Sequence, residues 1–455
     1  MTVETALAYA ESHHSAALDQ LAELLRIPTV STASEHAADM VRGAEWIADR
    51  LRKLGLTAEV APTAGHPVVL GEYPGAGKGA PTLLVYGHYD VQPADPVGEW
   101  ISPPFEPTIR GEDLFARGAS DMKGQLVAHL AAVEAIGRTG SLPVNLIYLV
   151  EGEEEIGSPN MESFIQSHRD RLACDVVLNL DSMILRPDLP SIVYGLRGLA
   201  YFELRVYGPA HDLHSGQFGG AVHNPAQVLC ELINGMHDRR GRVTLPGFYD
   251  KVRPLGPEER EALALVPERE EDLQRMTGVP RLWGEKGYTV VERLGARPTL
   301  EVNGLLSGFT GEGSKTVLPS TAMAKISMRL VPDQTPDEVH AQLLAYLRRE
   351  APATVRWEVT SLAGGLPAIV RRNTEEMRAA ARALTETFGR PPVFVREGGS
   401  IHVVSLMQSL LGRESILMGF SLPDDNLHAP NEKLHVPNFY RGIEAYIRFA
   451  YGLVR

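Results

Sequence analysis

The stretch VYGHYDVQP, residues 85–93, puts a histidine and an aspartate two apart at the end of an apolar run. Side chains alternate along a strand, so His88 and Asp90 share one face and Tyr89 takes the other. The pair has two readings: a ring nitrogen offered to a metal ion, or a histidine and a carboxylate that simply hydrogen-bond at a surface loop. Other apolar runs also close on polar residues. DLFARGASDMKGQ contributes Asp121 at a loop-to-helix turn, VNLIYLV runs into EGEEEIG, and CDVVLNLD ends in Asp181. Late in the chain, SLPDDNLHAPNEKL supplies His428 in a polar loop after the run ESILMGF. One carboxylate at a strand end is ordinary, and the shared placement is what points to a site. Mixed imidazole and carboxylate donors suit Zn²⁺, Mn²⁺ or Co²⁺ better than a Ca²⁺ cage, which uses oxygen only. Two such ions can share a carboxylate and activate a water between them. That chemistry also needs a proton acceptor not committed to metal. Neighbouring side chains in Glu153-Glu154-Glu155 diverge, so one can ligate while another handles the proton. The pattern does not choose among the three.

A second group of polar residues follows. GPAHDLHSGQFGG holds His211 and His214 among glycines, a context that suits a functional loop better than a core. GEGSKTVLP carries Ser314, Lys315 and Thr316 and resembles a phosphate loop, but it lacks the G-x-x-x-x-G-K-[ST] spacing and the helix that must follow. Arg329 in SMRLVPD can grip a carboxylate bidentately or form a surface ion pair. In REGGSIHVV the glycines can leave backbone amides and Ser400 open to a substrate carboxylate. Ser400 is not expected to be a nucleophile, since no G-x-S-x-G surrounds it. His129, His223 and His402 are expected to be structural, as are the thiols Cys174 and Cys230, which sit in apolar runs.

These residues need elements to position them. TLLVYGH, VNLIYLVEG and CDVVLNLD read as strands, with a helical stretch from about Lys123 to Ile136 between the first two. The amino-terminal AALDQLAELLRI and ADMVRGAEWIADRLRKLG read as helices, the second ending at a glycine. This predicts an α/β domain with a partly parallel sheet, in which ligands collect beyond the carboxyl ends of strands. The texture changes near residue 197. LAYFELRVYG and TAMAKISMRLVPD alternate like half-buried strands, and AVHNPAQVLCELINGMHDR and TPDEVHAQLLAYLRRE read as helices. The first style resumes with NTEEMRAAARALTETFG and closes on the helix NFYRGIEAYIRFAYGLV. The expectation is a catalytic domain over 1–197 and 366–455, interrupted by an α+β domain over 198–365.

The bulk numbers narrow the function. A chain of 455 residues exceeds the usual size of one hydrophobic core. A net charge of −13 argues against non-specific nucleic-acid binding, which needs many cations against phosphates. Two cysteines, neither in a C-x-x-C pair, point to a reducing cytoplasm. The start MTVETALAYAESHH lacks a basic region followed by an apolar run, so it reads as mature sequence. No segment approaches the roughly 20 apolar residues that span a bilayer, so no membrane partner is expected.

Taken together, YGHYDVQPA, ARGASDMKGQ, EGEEEIGS, YGLRG, DLHSGQFGG, KTVLP, RLVPDQTP, REGGSI and HAPNEK occur in the order found in the dinuclear-metal peptidases of family M20. Over nearly all its length the chain resembles the branch related to cytosolic non-specific dipeptidase and carnosinase. The resemblance implies a three-layer zinc-peptidase-like α/β catalytic domain with an inserted lid and dimerisation domain. It implies one metal held by His88, Asp121 and Asp181. Asp121 would bridge to a second metal held also by Glu155 and His428. It implies Glu154 as general base, Asp90 as the residue behind His88, and His214 at the substrate, often from the partner subunit. Thr316, Arg329 and Ser400 match positions that bind the substrate backbone and carboxylate. The implied activity is dipeptide hydrolysis by a cytoplasmic homodimer holding two divalent ions, zinc by default and manganese or cobalt as alternatives. The alternative activity is that of an N-acyl-amino-acid amidohydrolase. One departure is Glu153, where relatives often have an uncharged residue. Its charge is expected either to perturb Glu154 or to face solvent.

Overall fold

The computed structural model describes residues 2–267 and 270–454. They form two compact units, one of residues 2–194, 370–395 and 402–454, the other of 195–267, 270–369 and 396–401.

The first unit is built on a mixed sheet. Its strands lie in the order Thr57–Ala61, Val68–Tyr73, Asn145–Glu151, Thr82–His88, Val176–Asn179, Ser415–Leu417 and Ser191–Leu196. Thr82–His88 is buried from Leu83 onward, and Val176–Asn179 is buried throughout. Near-continuous apolar composition, with no alternation, is what a strand covered on both faces requires. The first two strands run antiparallel, while Asn145–Glu151, Thr82–His88, Val176–Asn179 and Ser415–Leu417 are mutually parallel. Four carboxyl ends therefore emerge along one edge of the sheet. His88 is the last residue of one strand, Glu154 and Glu155 follow the second, Asp181 follows the third, and the loop with His428 follows the fourth.

Helices cover this sheet. Ala37–Lys53 packs on the first two strands, and Val436–Gly452 packs against both Gly124–Thr139 and Glu375–Phe388. His129 is buried among them, with its Nδ1 2.7 Å from the Tyr148 hydroxyl. Burial pushes its ring down to about 3, so it is neutral and structural. The Tyr446 hydroxyl donates to Met418 O at 2.9 Å, tying the last helix to the end of Ser415–Leu417.

The second unit is an antiparallel sheet in the order Thr299–Ser307, Thr321–Leu330, Gly198–Tyr207 and Arg356–Gly365. The two central strands alternate buried and partly exposed positions. Helices Pro225–Gly235 and Pro336–Glu350 cover the buried face and close a core around Phe202, Leu204, Val228, Leu232, Ile326, Met328 and Leu343. Each begins with proline at its first position after a capping Asn224 or Thr335. The short helices Pro257–Leu263, Glu270–Thr277 and Val290–Gly295 add a region that periodicity did not reveal. One expectation is corrected here. Cys174 is buried, but Cys230 is exposed on the outer side of Pro225–Gly235, opposite Val228, Leu229 and Leu232, so only Cys174 sits in a core.

Chain segments cross closely beside Asp181. Met418 N donates to Asn179 O at 3.0 Å and Ile184 N to Ser421 O at 2.9 Å. Gly419 lies between, where a Cβ would fall 2.1 Å from Ser182 O and 2.6 Å from Leu180 O. Backbone on both sides cannot give way as a side chain can. Gly419→Ala is expected to cost about 1–3 kcal/mol of stability, as overpacking does, read from its urea unfolding midpoint. A variant as stable as the parent would show that the crossing is not tight.

Candidate metal centre

His88 is completely buried. Its Nδ1 donates to the Asp90 main-chain oxygen at 3.0 Å, with the Asp90 carboxylate at 3.4 Å. In the neutral ring that bond leaves Nε2 as a lone pair, and Nε2 faces Asp121 Oδ1 at 3.1 Å. The other oxygen of Asp121 lies 3.0 Å from His428 Nε2, which is itself 3.2 Å from Glu155 Oε2. One aspartate thus stands between two imidazoles. Donor atoms of His88, Asp121 and Asp181 lie within 4.8 Å of one another, as do those of Asp121, Glu155 and His428. The arrangement fits divalent ions on its chemistry. Acceptor faces acceptor at His88 and Asp121, and several carboxylates converge, so a cation in each cluster removes repulsion that protons on the rings would otherwise have to offset.

The charges respond as that crowding dictates. Burial pulls the His88 ring down, but its hydrogen bonds to Asp121 and Asp90 outweigh this and hold it well above its ordinary value. His428 is pushed up to about 10 by hydrogen bonds to Asp121 and Glu155. Asp121 is held low, since the two imidazoles outweigh the cost of its burial. Glu154 is raised well above the usual carboxylate range by burial, with Asp181, Asp121 and Glu155 adding repulsion and His88 opposing it.

The supporting groups are local. Asp90 Oδ1 accepts from Glu154 N at 3.1 Å and Oδ2 from Glu155 N at 3.0 Å, so its carboxylate orients the glutamate loop while its main chain orients His88. Tyr89 points the other way and donates to Pro67 O at 2.8 Å. Gln92 Nε2 donates to Glu155 Oε2 at 2.9 Å, a contact no sequence argument singled out. Glu153 does not face solvent. It is buried and accepts from His66 N at 3.1 Å and Asn160 Nδ2 at 2.7 Å, which makes it the anchor of the 62–67 loop. His428 has φ 61°, between Asn426 at 56° and Asn431 at 62°, a run of left-handed residues that neighbouring structure must hold in place. Asn431 does part of this, accepting from Ile101 N at 2.8 Å and donating to Glu99 O at 2.9 Å.

The remaining candidates lie in the inserted unit. His214 pairs with Val317 in a two-residue ladder beside Thr316, and its Nδ1 accepts from Gly216 N at 3.0 Å. Arg329 Nη1 donates to Ser400 Oγ at 2.9 Å, and Ser400 in turn donates to Arg197 O at 2.5 Å. His214 with Thr316, and Arg329 with Ser400, are therefore neighbours.

A sequence profile for peptidase family M20/M25/M40 matches residues 84–452. The chain belongs to this family. It lies in the dipeptidase, carnosinase-like branch of M20. It is 31% identical over 452 residues to Cys-Gly metallodipeptidase dug1 of Schizosaccharomyces pombe, covering 95% of this chain and 94% of that one. It is 31% identical over 389 residues to human Beta-Ala-His dipeptidase, covering 84% of this chain and 76% of that one. Among solved structures, an M20 family metallo-carboxypeptidase from Sulfolobus solfataricus superposes with a TM-score of 0.86 at 35% identity, over 96% of this chain and 99% of that one. Human carnosine dipeptidase 1 gives 0.83 at 28% identity, over 100% and 99%. With its two donor clusters, this M20 chain is a metal-dependent hydrolase.

Sharing of Asp121 has a measurable consequence. Calorimetric titration of metal-free protein is expected to show two divalent ions per chain, one for Asp181→Asn, and weakened uptake at both positions for Asp121→Asn. Full uptake of two ions by Asp121→Asn would show that this carboxylate is not shared.

Proposed function

We propose that the chain hydrolyses the peptide bond of dipeptides. The observation that carries this is the pair of donor clusters sharing Asp121 beside a raised Glu154, in a chain whose relatives include dipeptidases. His88, Asp121 and Asp181 would hold one ion and Asp121, Glu155 and His428 the other. When bound, such ions supply Lewis-acid polarisation of the peptide carbonyl and acidify a water. Zinc is the default on donor chemistry, with manganese or cobalt as active substitutes.

Glu154 takes the proton of the attacking water and returns it to the leaving amine nitrogen. Asp90, through the amides of Glu154 and Glu155, keeps that carboxylate aimed. In the inserted unit, His214 donates to the oxygen on which charge develops. Arg329, with Thr316 and the Ser400 turn, takes the substrate backbone and its terminal carboxylate, for which a guanidinium is suited. We assign the inserted unit the role of lid and dimerisation element, the protein a homodimeric state, and the two unpaired cysteines a cytoplasmic setting.

A second reading is removal of a carboxyl-terminal residue from longer peptides, favoured by the metallo-carboxypeptidase among the similar structures. Hydrolysis of acylated amino acids is the further alternative. A panel of dipeptides, tripeptides, and acetyl- and succinyl-amino acids, each with Zn²⁺, Mn²⁺ and Co²⁺, separates the three. Highest kcat/KM on dipeptides is expected, and preference for acylated amino acids would reject the proposal. Glu154→Gln is expected to keep both ions and lose about 10²–10⁴-fold in kcat. Near-parental turnover in that variant would remove Glu154 from its role.

A further inference from the structure

Glu432 lies four residues after His428 and is completely buried. Its carboxylate accepts four hydrogen bonds, all from residues 117–121. Oε2 takes Arg117 Nη1 and Gly118 N, each at 2.8 Å. Oε1 takes Ser120 N at 3.0 Å and Asp121 N at 3.1 Å. The main chains are tied as well, with Ala116 N donating to Glu432 O at 3.1 Å and Lys433–His435 pairing with Asp113–Phe115. A buried ion pair with Arg117 alone would explain one of the four contacts. The other three are backbone amides of the turn that ends in Asp121, the residue both clusters share. The turn is tight: Gly118 has φ 81°, and a Cβ there would lie 2.5 Å from Val91.

We propose that Glu432 is a positioning residue of the dinuclear centre, fixing the main chain of Asp121 relative to the loop that carries His428. Ser120 Oγ also ties the two loops by donating to Asp425 Oδ2 at 2.5 Å, but the Glu432 carboxylate takes three backbone amides of the turn, so altering it loosens both clusters together. Charge-assisted bonds to a carboxylate are the strong ones, and three of them on one turn set its orientation as well as its stability. The inference rests on the metal-centre reading above and adds a residue outside the ligand set.

The test is Glu432→Gln, which keeps size but turns an amide NH₂ toward donors. Affinity for divalent ions is measured by competition with a chromophoric chelator, alongside the visible spectrum of the Co²⁺-loaded protein and the melting temperature. Affinity at both positions is expected to fall about 10–100-fold, as when groups that orient metal ligands are removed, with an altered Co²⁺ spectrum. Glu432→Asp keeps the charge opposite Arg117 but is one methylene shorter, and should fall between parent and Glu432→Gln. If only the Asp variant folds, it is read against the parent. A folded variant with parental affinity and spectrum but a lowered melting temperature would overturn the proposal, as would failure of both variants to fold. The parent is titrated in parallel. No uptake by the parent would reject the metal centre itself, whereas normal parental uptake with unchanged variants would reject only the role of Glu432.

Discussion

Two imidazoles and several carboxylates are forced into one place, and the repulsion among those carboxylates is the constraint around which this unit is organised. Asp121 offers one oxygen to His88 at 3.1 Å and the other to His428 at 3.0 Å, while Glu154, Glu155 and Asp181 crowd the same edge. In a partly buried setting, like charges at such separations either take up protons or gather cations. The upward pull on Glu154, from burial and its acidic neighbours, and on His428, from its hydrogen bonds to Asp121 and Glu155, follows the first course. Divalent ions would provide the second, and would leave Glu154 free for the proton exchange proposed for it.

The fold supplies the convergence through parallel strands. Because Asn145–Glu151, Thr82–His88, Val176–Asn179 and Ser415–Leu417 run the same way, whatever follows each of them reaches a common edge. Strand ends alone would leave the side chains loosely aimed. Buried acceptors outside the two donor clusters hold the turns that carry them: Asp90 on the amides of Glu154 and Glu155, and Glu432 on the amides around Asp121. Each joins two segments distant in sequence, so the candidate ligands are held relative to one another as well as to the sheet.

Much of this was legible in the residues. TLLVYGH becomes the strand Thr82–His88, and the helix expected over 123–136 is observed over Gly124–Thr139. Apolar runs closing on polar residues marked His88, Asp121, Asp181 and His428, and family motifs selected among the three glutamates. Buried polar groups were less visible. Glu153 and Glu432 look like solvated acids in sequence, because only tertiary structure brings His66, Asn160 or the 117–121 amides to them. Cys230 misled in the opposite sense, since an apolar neighbourhood along a helix still has an outer face.

The position of bound metal is the most direct test of a shared Asp121. Crystals grown with Mn²⁺ or Co²⁺ and measured by anomalous scattering at the absorption edge would locate it. Two peaks flanking the Asp121 carboxylate are predicted, one toward His88 and Asp181 and one toward Glu155 and His428. Peaks elsewhere, or none beside Asp121 at saturating ion, would contradict it.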